Sequence, residues 1–284
     1  MESAERSLGS ERGRDCRWRT EMKFLVLADL HHDFYRAKGM DPLERVPEEQ
    51  LRAVTHCVLA GDLTNKGHKK WKASLEWIGE RIPAAKIFVM PGNHDVYDAA
   101  IDQEDKLRDV AKANGATFVQ KSELIFGRNR VLLCSLWSDF EIYGDRVVNM
   151  RHAAAHMNDF HLIRVAKEGY RKLTPAHTAR IHVDHREWLN ARLSERFDGE
   201  TTVITHHAPH ANALKGQPAI GPCYASNLHA MILQYQPERW IYGHTHHRVA
   251  FDIGRTRLVN ASIGYPGQMD LIDTLDRFTF DLAE

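Results

Sequence analysis

The sequence lacks any long apolar run. No stretch of about 18 consecutive apolar residues occurs, so we expect no membrane-spanning helix. The early charged residues are not followed by the apolar core of a secretory signal. Neither a membrane anchor nor a secretion signal is therefore expected.

Cysteine is also scarce. The 284 residues include four cysteines, and no two of them lie close together in the sequence. Cys57 and Cys134 fall in apolar, strand-like runs. Buried, reduced thiols in a cytoplasmic protein explain this pattern better than a disulfide framework does.

The chain has no net charge. Its 38 Lys and Arg residues balance 38 Asp and Glu residues. A strongly basic field, which would favour nucleic acid or an anionic membrane surface, is therefore missing. We do not expect nucleic acid or a membrane as a partner. Hydrophobic residues make up 43% of the chain, enough for one large core or two small ones.

Residues 1–21 differ from the rest of the chain. They are polar and charged, with no apolar periodicity, and cannot bury enough surface to offset the entropy of ordering. We expect a disordered extension over 1–21, with Met22 as a plausible alternative start. The folded domain is predicted to span 22–284.

Apolar runs alternate with helical patterns through the first third of the chain. The runs at 23–28, 57–60 and 87–90 read as buried strands, and an amphipathic helix carries Trp71, Leu75 and Ile78. Strand–helix units of this kind predict an α/β fold with a mostly parallel sheet. Further strands are predicted at 202–205 and 240–242.

An insertion is predicted at about residues 138–186. It mixes aromatic and Met side chains, among them Phe140, Tyr143 and Met157, with several His and Arg residues. It could be plain surface elaboration. We favour a cap that covers a cleft and selects substrates, because these side chains are too many for a solvated loop.

Histidine is abundant, with 18 residues. Together with Asp and Asn, it recurs where predicted strands end. Because the carboxyl ends of parallel strands meet at one edge of a sheet, these side chains can converge there. They are Asp29, His31, Asp62, Asn93, His94, His206, His244 and His246.

This set of side chains suits metal ions. Asp, Asn and His without Cys favour Mn, Fe, Co, Ni or Zn. Seven ligands are too many for one tetrahedral ion. They fit two ions about 3.5–4 Å apart that share a carboxylate.

Five sequence blocks carry a family resemblance. Asp-x-His, Gly-Asp, Gly-Asn-His-Asp, His and Gly-His-x-His occur in this order between residue 23 and about residue 260. In this order they resemble the calcineurin-like metallophosphoesterases. The resemblance implies a four-layer α/β/β/α sandwich of two mixed sheets, with the partly helical insertion as a cap. It also implies two divalent transition-metal ions, with Mn the first choice and Fe, Zn, Co and Ni as alternatives.

The resemblance implies a role for each ligand position. Asp29, His31 and His246 would hold the first ion. The second ion would be held by Asn93, His206 and His244, with Asp62 bridging the two ions. Within His31-His32, only His31 fits the Asp-x-His spacing. Within His206-His207 both remain candidates, and we choose His206 because it follows the strand-ending Thr205 directly.

The remaining site assignments concern catalysis and substrate. We expect His94 to act as a general acid or cationic hydrogen-bond donor, and Asp95 to hold its imidazole in one orientation. His32, Asn65, His207 and Tyr265 are candidates for substrate contact, and support of the ligands is an equally good role for the first three. Residues 260–266, which include Gly264 and Tyr265, could line the same cleft.

The implied activity is hydrolysis of a small phosphate ester, either a monoester or a diester. Two divalent ions would lower the pKa of a bridging water to about 7 and so provide hydroxide. A nuclease with the same centre is an alternative that the neutral charge and the lack of a basic aromatic groove disfavour. A non-catalytic scaffold should show degraded blocks, and all five are intact. The oligomeric state stays open.

Overall fold

The computed structural model describes residues 22–83, 85–214 and 220–282. The predicted extension at 1–21 lies outside the described residues. The strands are β1 (Met22–Leu27), β2 (His56–Ala60), β3 (Lys86–Met90), β4 (Thr117–Phe118), β5 (Ser122–Phe126), β6 (Asn129–Cys134), β7 (Arg164–Val165), β8 (Arg171–Lys172), β9 (Glu200–Thr205), β10 (Arg239–Tyr242), β11 (Ala250–Ile253), β12 (Thr256–Asn260) and β13 (Thr279–Leu282).

Helices separate most of these strands. They are α1 (His32–Ala37), α2 (Glu48–Arg52), α3 (Gly67–Arg81), α4 (Glu104–Ala113), α5 (Arg146–His156), α6 (Asp159–Leu162), α7 (Pro175–Ser194), α8 (Gly221–Tyr224) and α9 (His229–Tyr235). Short 3₁₀ helices lie at His94–Val96, Ala166–Glu168 and Ala211–Ala213. Among the helices of the described ranges, none has both the length and the apolar character that a bilayer crossing needs.

Two mixed sheets form the centre of the fold. The first has the strand order β13-β1-β2-β3-β4, with β1 to β4 parallel and β13 antiparallel at the edge. The second has the order β11-β12-β10-β9-β6-β5, with four parallel strands between two antiparallel edge strands. The strands predicted from the apolar runs are all present, and their parallel pairing confirms the α/β prediction.

The period-two pattern of β6 shows how the layers pack. Val131 and Leu133 belong to the buried cluster that includes Phe24 of the first sheet. Leu132 and Cys134, which point the other way, belong to a second cluster that includes Leu189 of α7. Because alternate side chains of a strand point to opposite faces, β6 is buried on both sides. One side packs against the first sheet and the other against a helix.

Aromatic contacts join the two sheets. The Phe24 ring stacks on His56 at 5.2 Å and meets Phe126 of the second sheet edge-to-face at 5.3 Å. Outside the first sheet, α3 buries Trp71, Leu75 and Ile78, the spacing that the sequence predicted. With α7 and α9 outside the second sheet, the order helix, sheet, sheet, helix confirms the predicted four-layer sandwich.

The insertion between β6 and α7 is partly helical. It contains α5, α6 and the small antiparallel ribbon of β7 and β8. The predicted range of 138–186 extends too far, because α7 begins at Pro175 and packs against β6 as part of the outer helical layer. Phe140 is buried in the core, whereas Tyr143 is 57% exposed. Neither lines the central cleft described below.

Candidate active site

The predicted ligands of the first ion lie together. Asp29 and His31 follow β1, and His246 follows β10. His246 Nε2 lies 3.3 Å from Asp29 Oδ1 and 3.2 Å from His31 Nε2. One potential ligand atom from each of the three residues lies within 4.8 Å of the others. This spacing allows a single ion to contact all three.

The predicted ligands of the second ion form an adjacent group. His206 Nε2 lies 3.2 Å from Asn93 Oδ1 and 3.5 Å from Asp62 Oδ1. Ligand atoms of His206, His244 and Asp62 also lie within 4.8 Å of one another, with Asp29 beside them. Asp62 extends its second oxygen toward the first group, 4.0 Å from His31 Nε2. Asp62 is therefore the carboxylate that faces both groups.

The backbone of these loops adopts a conformation that most residues avoid. Five of the seven predicted ligands have a positive φ, which costs non-glycine residues roughly 1–2 kcal/mol each. They are Asp29 (52°), His31 (41°), Asp62 (53°), His244 (65°) and His246 (49°). Strain of this kind persists only where the surrounding structure enforces it, and it is typical of functional sites.

Three glycines make room for ligand side chains from other blocks. A Cβ atom on Gly61 would collide with the His206 ring, and one on Gly92 would collide with Asp62. A Cβ atom on Gly243 would lie 2.5 Å from Asp29 Oδ2. Each glycine therefore belongs to one sequence block and clears space for the ligand of another.

The electrostatics of the cluster favour positive charge. Burial alone would lower the pKa of His206, but the carboxylates of Asp62 and Asp29 raise it to about 9. At His246, burial again acts to lower the pKa, but Asp29 raises it above its usual value. Burial, reinforced by neighbouring imidazoles, instead lowers the pKa of His244 well below its usual range. The buried Nε2 atom of His244 has no hydrogen-bond partner among the described residues. A neutral, unpartnered imidazole nitrogen beside two buried carboxylates fits a divalent cation.

Hydrogen bonds fix the outer atoms of the ligands. Asp29 Oδ2 accepts from Ser262 Oγ at 2.6 Å and from the backbone N–H of His244 at 2.7 Å. His246 Nδ1 donates to Gln268 Oε1 at 2.7 Å, and His206 Nδ1 donates to the backbone carbonyl of Ala60 at 3.1 Å. Nδ1 is therefore the donor in both rings, and Nε2 is the nitrogen that can bind a metal in place of its proton.

The amide of Asn93 is fixed from the insertion. Its Nδ2 donates to Asp159 Oδ1 of α6 at 2.8 Å. Tyr97 donates its hydroxyl to the same oxygen at 2.7 Å. The amide oxygen of Asn93 is thereby left to face His206.

The predicted acid, His94, lies at the edge of the metal cluster. Its Nδ1 donates to Asn65 Oδ1 at 2.6 Å. Its Nε2 lies 3.9 Å from Asp62 Oδ2 and 3.5 Å from the Tyr265 hydroxyl. The side chain is 18% exposed, so it is accessible from the cleft.

Asp95 does not hold His94, contrary to the sequence-based prediction. Its Oδ1 accepts from Trp71 Nε1 at 2.7 Å and from the backbone N–H of Thr64 at 3.0 Å. Its Oδ2 accepts from the backbone N–H of Gly92 at 2.9 Å. Asp95 therefore ties together α3 and the two loops that carry Asp62 and Asn93. Asn65 is the residue that holds the His94 ring.

A cleft of about 280 Å³ opens over the cluster. Its walls include His94, Tyr97, Met157, Asn158, Tyr224 and Tyr265. Met157 and Asn158 come from the insertion, so the insertion borders the cleft. Tyr265 stacks on His31 with the ring centres 4.1 Å apart.

The family model for calcineurin-like phosphoesterases matches residues 22–248. The chain belongs to that family. The family depends on a dinuclear metal centre, and the buried Asp and His cluster of this phosphoesterase is able to hold metal. Together these findings indicate a metal-dependent hydrolase of phosphate esters.

Two known proteins illustrate the relationship. An uncharacterized protein of Acanthamoeba polyphaga mimivirus is 23% identical over 229 residues, which cover 75% of this chain and 79% of the viral protein. The crystal structure of a phosphopantetheinyl hydrolase from Mycobacterium tuberculosis superposes with a TM-score of 0.65 at 15% identity. That match covers 93% of this chain and 96% of the mycobacterial one, and it shows that the two proteins share a fold.

The four substrate candidates of this phosphoesterase separate into two groups. Asn65 and Tyr265 contact His94, as described above. His32 faces α3 instead, where its Nδ1 pairs with Ser74 Oγ at 2.8 Å, and burial lowers its pKa to about 4. His207 lies behind the cluster, where its Nδ1 donates to the backbone carbonyl of Ser135 at 3.2 Å. Neither histidine lines the cleft, so neither is placed for substrate contact.

Three residues of the site carried little signal in the sequence. Asp159 is a lone Asp in a segment without a recognisable motif. Ser262 falls in the stretch at 260–266 that the sequence analysis places near the cleft, and Gln268 lies just beyond it. Only the position of that stretch after a late strand could have pointed to the last two.

Proposed function

We propose that this phosphoesterase hydrolyses small phosphate esters with the help of two divalent ions, Mn being the first candidate. The observation that carries the proposal is the buried cluster in which Asp and His ligand atoms from four strand ends form adjoining groups within 4.8 Å, with Asn93 Oδ1 of a fifth strand end 3.2 Å from His206 Nε2. A cleft of about 280 Å³ with tyrosine and methionine walls favours a small substrate over a polymer.

In this proposal each ligand keeps the role that the family resemblance implies. Asp29, His31 and His246 hold the first ion. Asn93, His206 and His244 hold the second, and Asp62 contributes to both. When bound there, the ions supply an activated water near neutral pH and neutralise charge on the phosphoryl oxygens.

His94 is the proposed proton donor to the leaving oxygen. Its Nδ1–H is already committed to Asn65 Oδ1, because an amide oxygen can only accept. Donation from Nε2 therefore requires the imidazolium form, and the ring returns neutral after the transfer. Asn65 holds the ring so that Nε2 stays beside Asp62 and the Tyr265 hydroxyl. Tyr265 is a second group that can contact the phosphate ester.

The insertion acts as a cap in the proposed mechanism. It brings Met157 and Asn158 to the cleft wall opposite the motif loops, where they can contact the part of the substrate beyond the phosphate. Choice among substrates then depends on these side chains, whereas the chemistry depends on the motif residues.

The test separates metal binding from proton transfer. Asp62→Ala should lower both bound metal and rate, because one lost carboxylate weakens both sites. His94→Ala should keep both ions and slow turnover by roughly 10²–10⁴-fold, the usual scale for a positioned acid. The loss should be larger for an alkyl phosphate than for a nitrophenyl phosphate, whose leaving group needs little protonation. His161→Ala, a change at an exposed histidine of the insertion, is the control.

The assays are metal content per chain and rates on monoesters, diesters and single-stranded DNA. Metal loss in His94→Ala would make His94 a ligand and overturn its role as an acid. An equal defect for good and poor leaving groups would also exclude it as the donor. Activity confined to DNA would replace the small-substrate proposal with a nuclease.

A further inference from the structure

One buried carboxylate of the cap reaches into the second group of ligands. Asp159 is 3% exposed and lies 66 residues from Asn93 in the sequence, yet its Oδ1 accepts the Asn93 amide N–H at 2.8 Å. Asn93 is itself 1% exposed. Since both groups are cut off from water, this hydrogen bond has no easy substitute.

The contact decides which end of the Asn93 amide faces the cluster. The oxygen and nitrogen ends of an Asn side chain have nearly the same shape, but only the oxygen can bind a metal. An ionised carboxylate only accepts, so it selects the nitrogen end. With Nδ2 held by Asp159, Oδ1 lies 3.2 Å from His206 Nε2.

Asp159 is held firmly in place by its surroundings. The Tyr97 hydroxyl donates to the same Oδ1 atom at 2.7 Å. Backbone hydrogen bonds then join the segment after Tyr97 to the end of α6 and to β7, from Asp98 N to Leu162 O at 3.2 Å and from Arg164 N to Ala99 O at 2.9 Å. The base of the cap and the Gly-Asn-His-Asp loop therefore form one connected unit.

We propose that Asp159 is the positioning residue of the second metal site, through which the cap fixes the ligand orientation of Asn93. The proposal rests on the proposed dinuclear function. It gives the cap a role beyond substrate contact, because a cap residue then helps to determine how tightly one of the two ions is held.

Substitution of Asp159 by Ala and by Asn should affect metal affinity differently. Asp159→Ala removes the shorter of the two hydrogen bonds from Nδ2 and leaves the 3.4 Å contact with the Tyr97 hydroxyl, which can both donate and accept, so the Asn93 amide can present either end. Affinity for one ion should fall by roughly 10–100-fold, the usual effect of losing a hydrogen-bond partner of a ligand. Asp159→Asn keeps an oxygen that can accept from Nδ2, so it should restore most of that affinity. Tyr97→Phe removes the hydroxyl that donates to Asp159 and accepts from Asn93 Nδ2 at 3.4 Å, so it should weaken the same ion, but by less than Asp159→Ala does.

Ser262→Ala is the matched change at the first site. Ser262 is as buried as Asp159 and donates to Asp29 Oδ2 at 2.6 Å. It should also weaken one ion. If Asp159 and Ser262 support different sites, the double variant should weaken both ions, with effects that add.

In the experiment, chelator-treated protein is titrated with Mn²⁺ in a calorimeter to measure the affinity for each ion. Circular dichroism confirms that each variant is folded. We expect the wild type to bind two ions. Each Ala variant should bind one of the two ions with lower affinity, and the double variant should bind both with lower affinity. Wild-type affinity in Asp159→Ala, or an Asn variant as weak as the Ala variant, would overturn the inference alone. A wild-type chain that binds no Mn²⁺ would overturn the dinuclear proposal, and this inference with it.

Discussion

Asp95 is predicted to act mainly on stability. It accepts three hydrogen bonds, two from backbone N–H groups of the ligand loops and one from the indole of Trp71. Asp95→Ala would leave three buried donors unpaired, at about 1–3 kcal/mol each. Because water can enter the space and satisfy part of this loss, we expect the free energy of unfolding to fall by about 3–5 kcal/mol. Asp95→Asn keeps the oxygen that serves Thr64 and Trp71, so it should cost less.

A second carboxylate in the same region provides the control. Asp33 also reaches α3, where Lys70 Nζ lies 2.7 Å from Asp33 Oδ2, and its Oδ1 accepts the backbone N–H of Asn65 at 3.4 Å. The lysine side chain is 44% exposed and that of Asp33 is 11% exposed. An ion pair with an exposed lysine contributes about 1 kcal/mol or less, and Asp33 accepts one long hydrogen bond where Asp95 accepts three short ones. Asp33→Ala should therefore lower the free energy of unfolding much less than Asp95→Ala does.

Urea denaturation measures the difference. The titrations should be run with chelator and again with Mn²⁺, since a ligand bound only to the folded state adds to apparent stability. If the free energy of unfolding of Asp95→Ala lies within about 1 kcal/mol of the wild-type value, the prediction that Asp95 stabilises the fold is wrong. If Asp95→Ala instead showed the dependence on leaving group that is expected of His94→Ala, the sequence-based prediction that Asp95 orients His94 would be correct.

Two further predictions concern pH and substrate choice. Burial lowers the pKa of His185 to about 3, and its Nδ1 accepts the backbone N–H of Leu136 at 3.1 Å. In the unfolded chain the same imidazole binds a proton below about pH 6.5, whereas in the folded chain it stays neutral. Stability should therefore fall by about 2 kcal/mol between pH 6.5 and pH 5, and His185→Gln should remove that part of the slope in urea denaturation; equal slopes for the two proteins would contradict this. Met157→Ala should change the ratio of rates between a bulky and a small phosphate ester by roughly 10-fold at constant metal content, and an unchanged ratio would argue against the cap as a selector.

The sequence was sufficient to predict the strands and the loops that follow them. Apolar runs such as 87–90 are interpreted as buried strands when Pro and Gly end them. The carboxyl ends of parallel strands lie at one edge of the sheet, so the loops that follow them come together there. The pair His206-His207 illustrates the limit. Neighbouring residues point in different directions, and the structure brings His206 beside Asp62 while His207 faces Ser135.

Roles that depend on distant partners could not be predicted. Asp95 is next to His94 in the sequence, but its closest side-chain partner is Trp71, 24 residues away. Asp159 acts across 66 residues and has no motif around it. Thr174-Pro175 is the usual sequence pattern at the start of a helix, yet sequence alone does not show that α7 packs against β6 and so ends the insertion. These are facts of three-dimensional packing, which local pattern does not contain.

The interlocked glycines limit how this centre could be transplanted. Gly61 admits His206, Gly92 admits Asp62, and Gly243 admits Asp29, so three of the five ligand loops are shaped to a side chain from another loop. A protein engineer who grafted one loop onto a new scaffold would import a gap without the side chain that fills it. Three pairs, each split between two strand ends, have to move together. The smallest portable unit of the centre is therefore the full set of strand ends with their spacing, not any one of its sequence blocks.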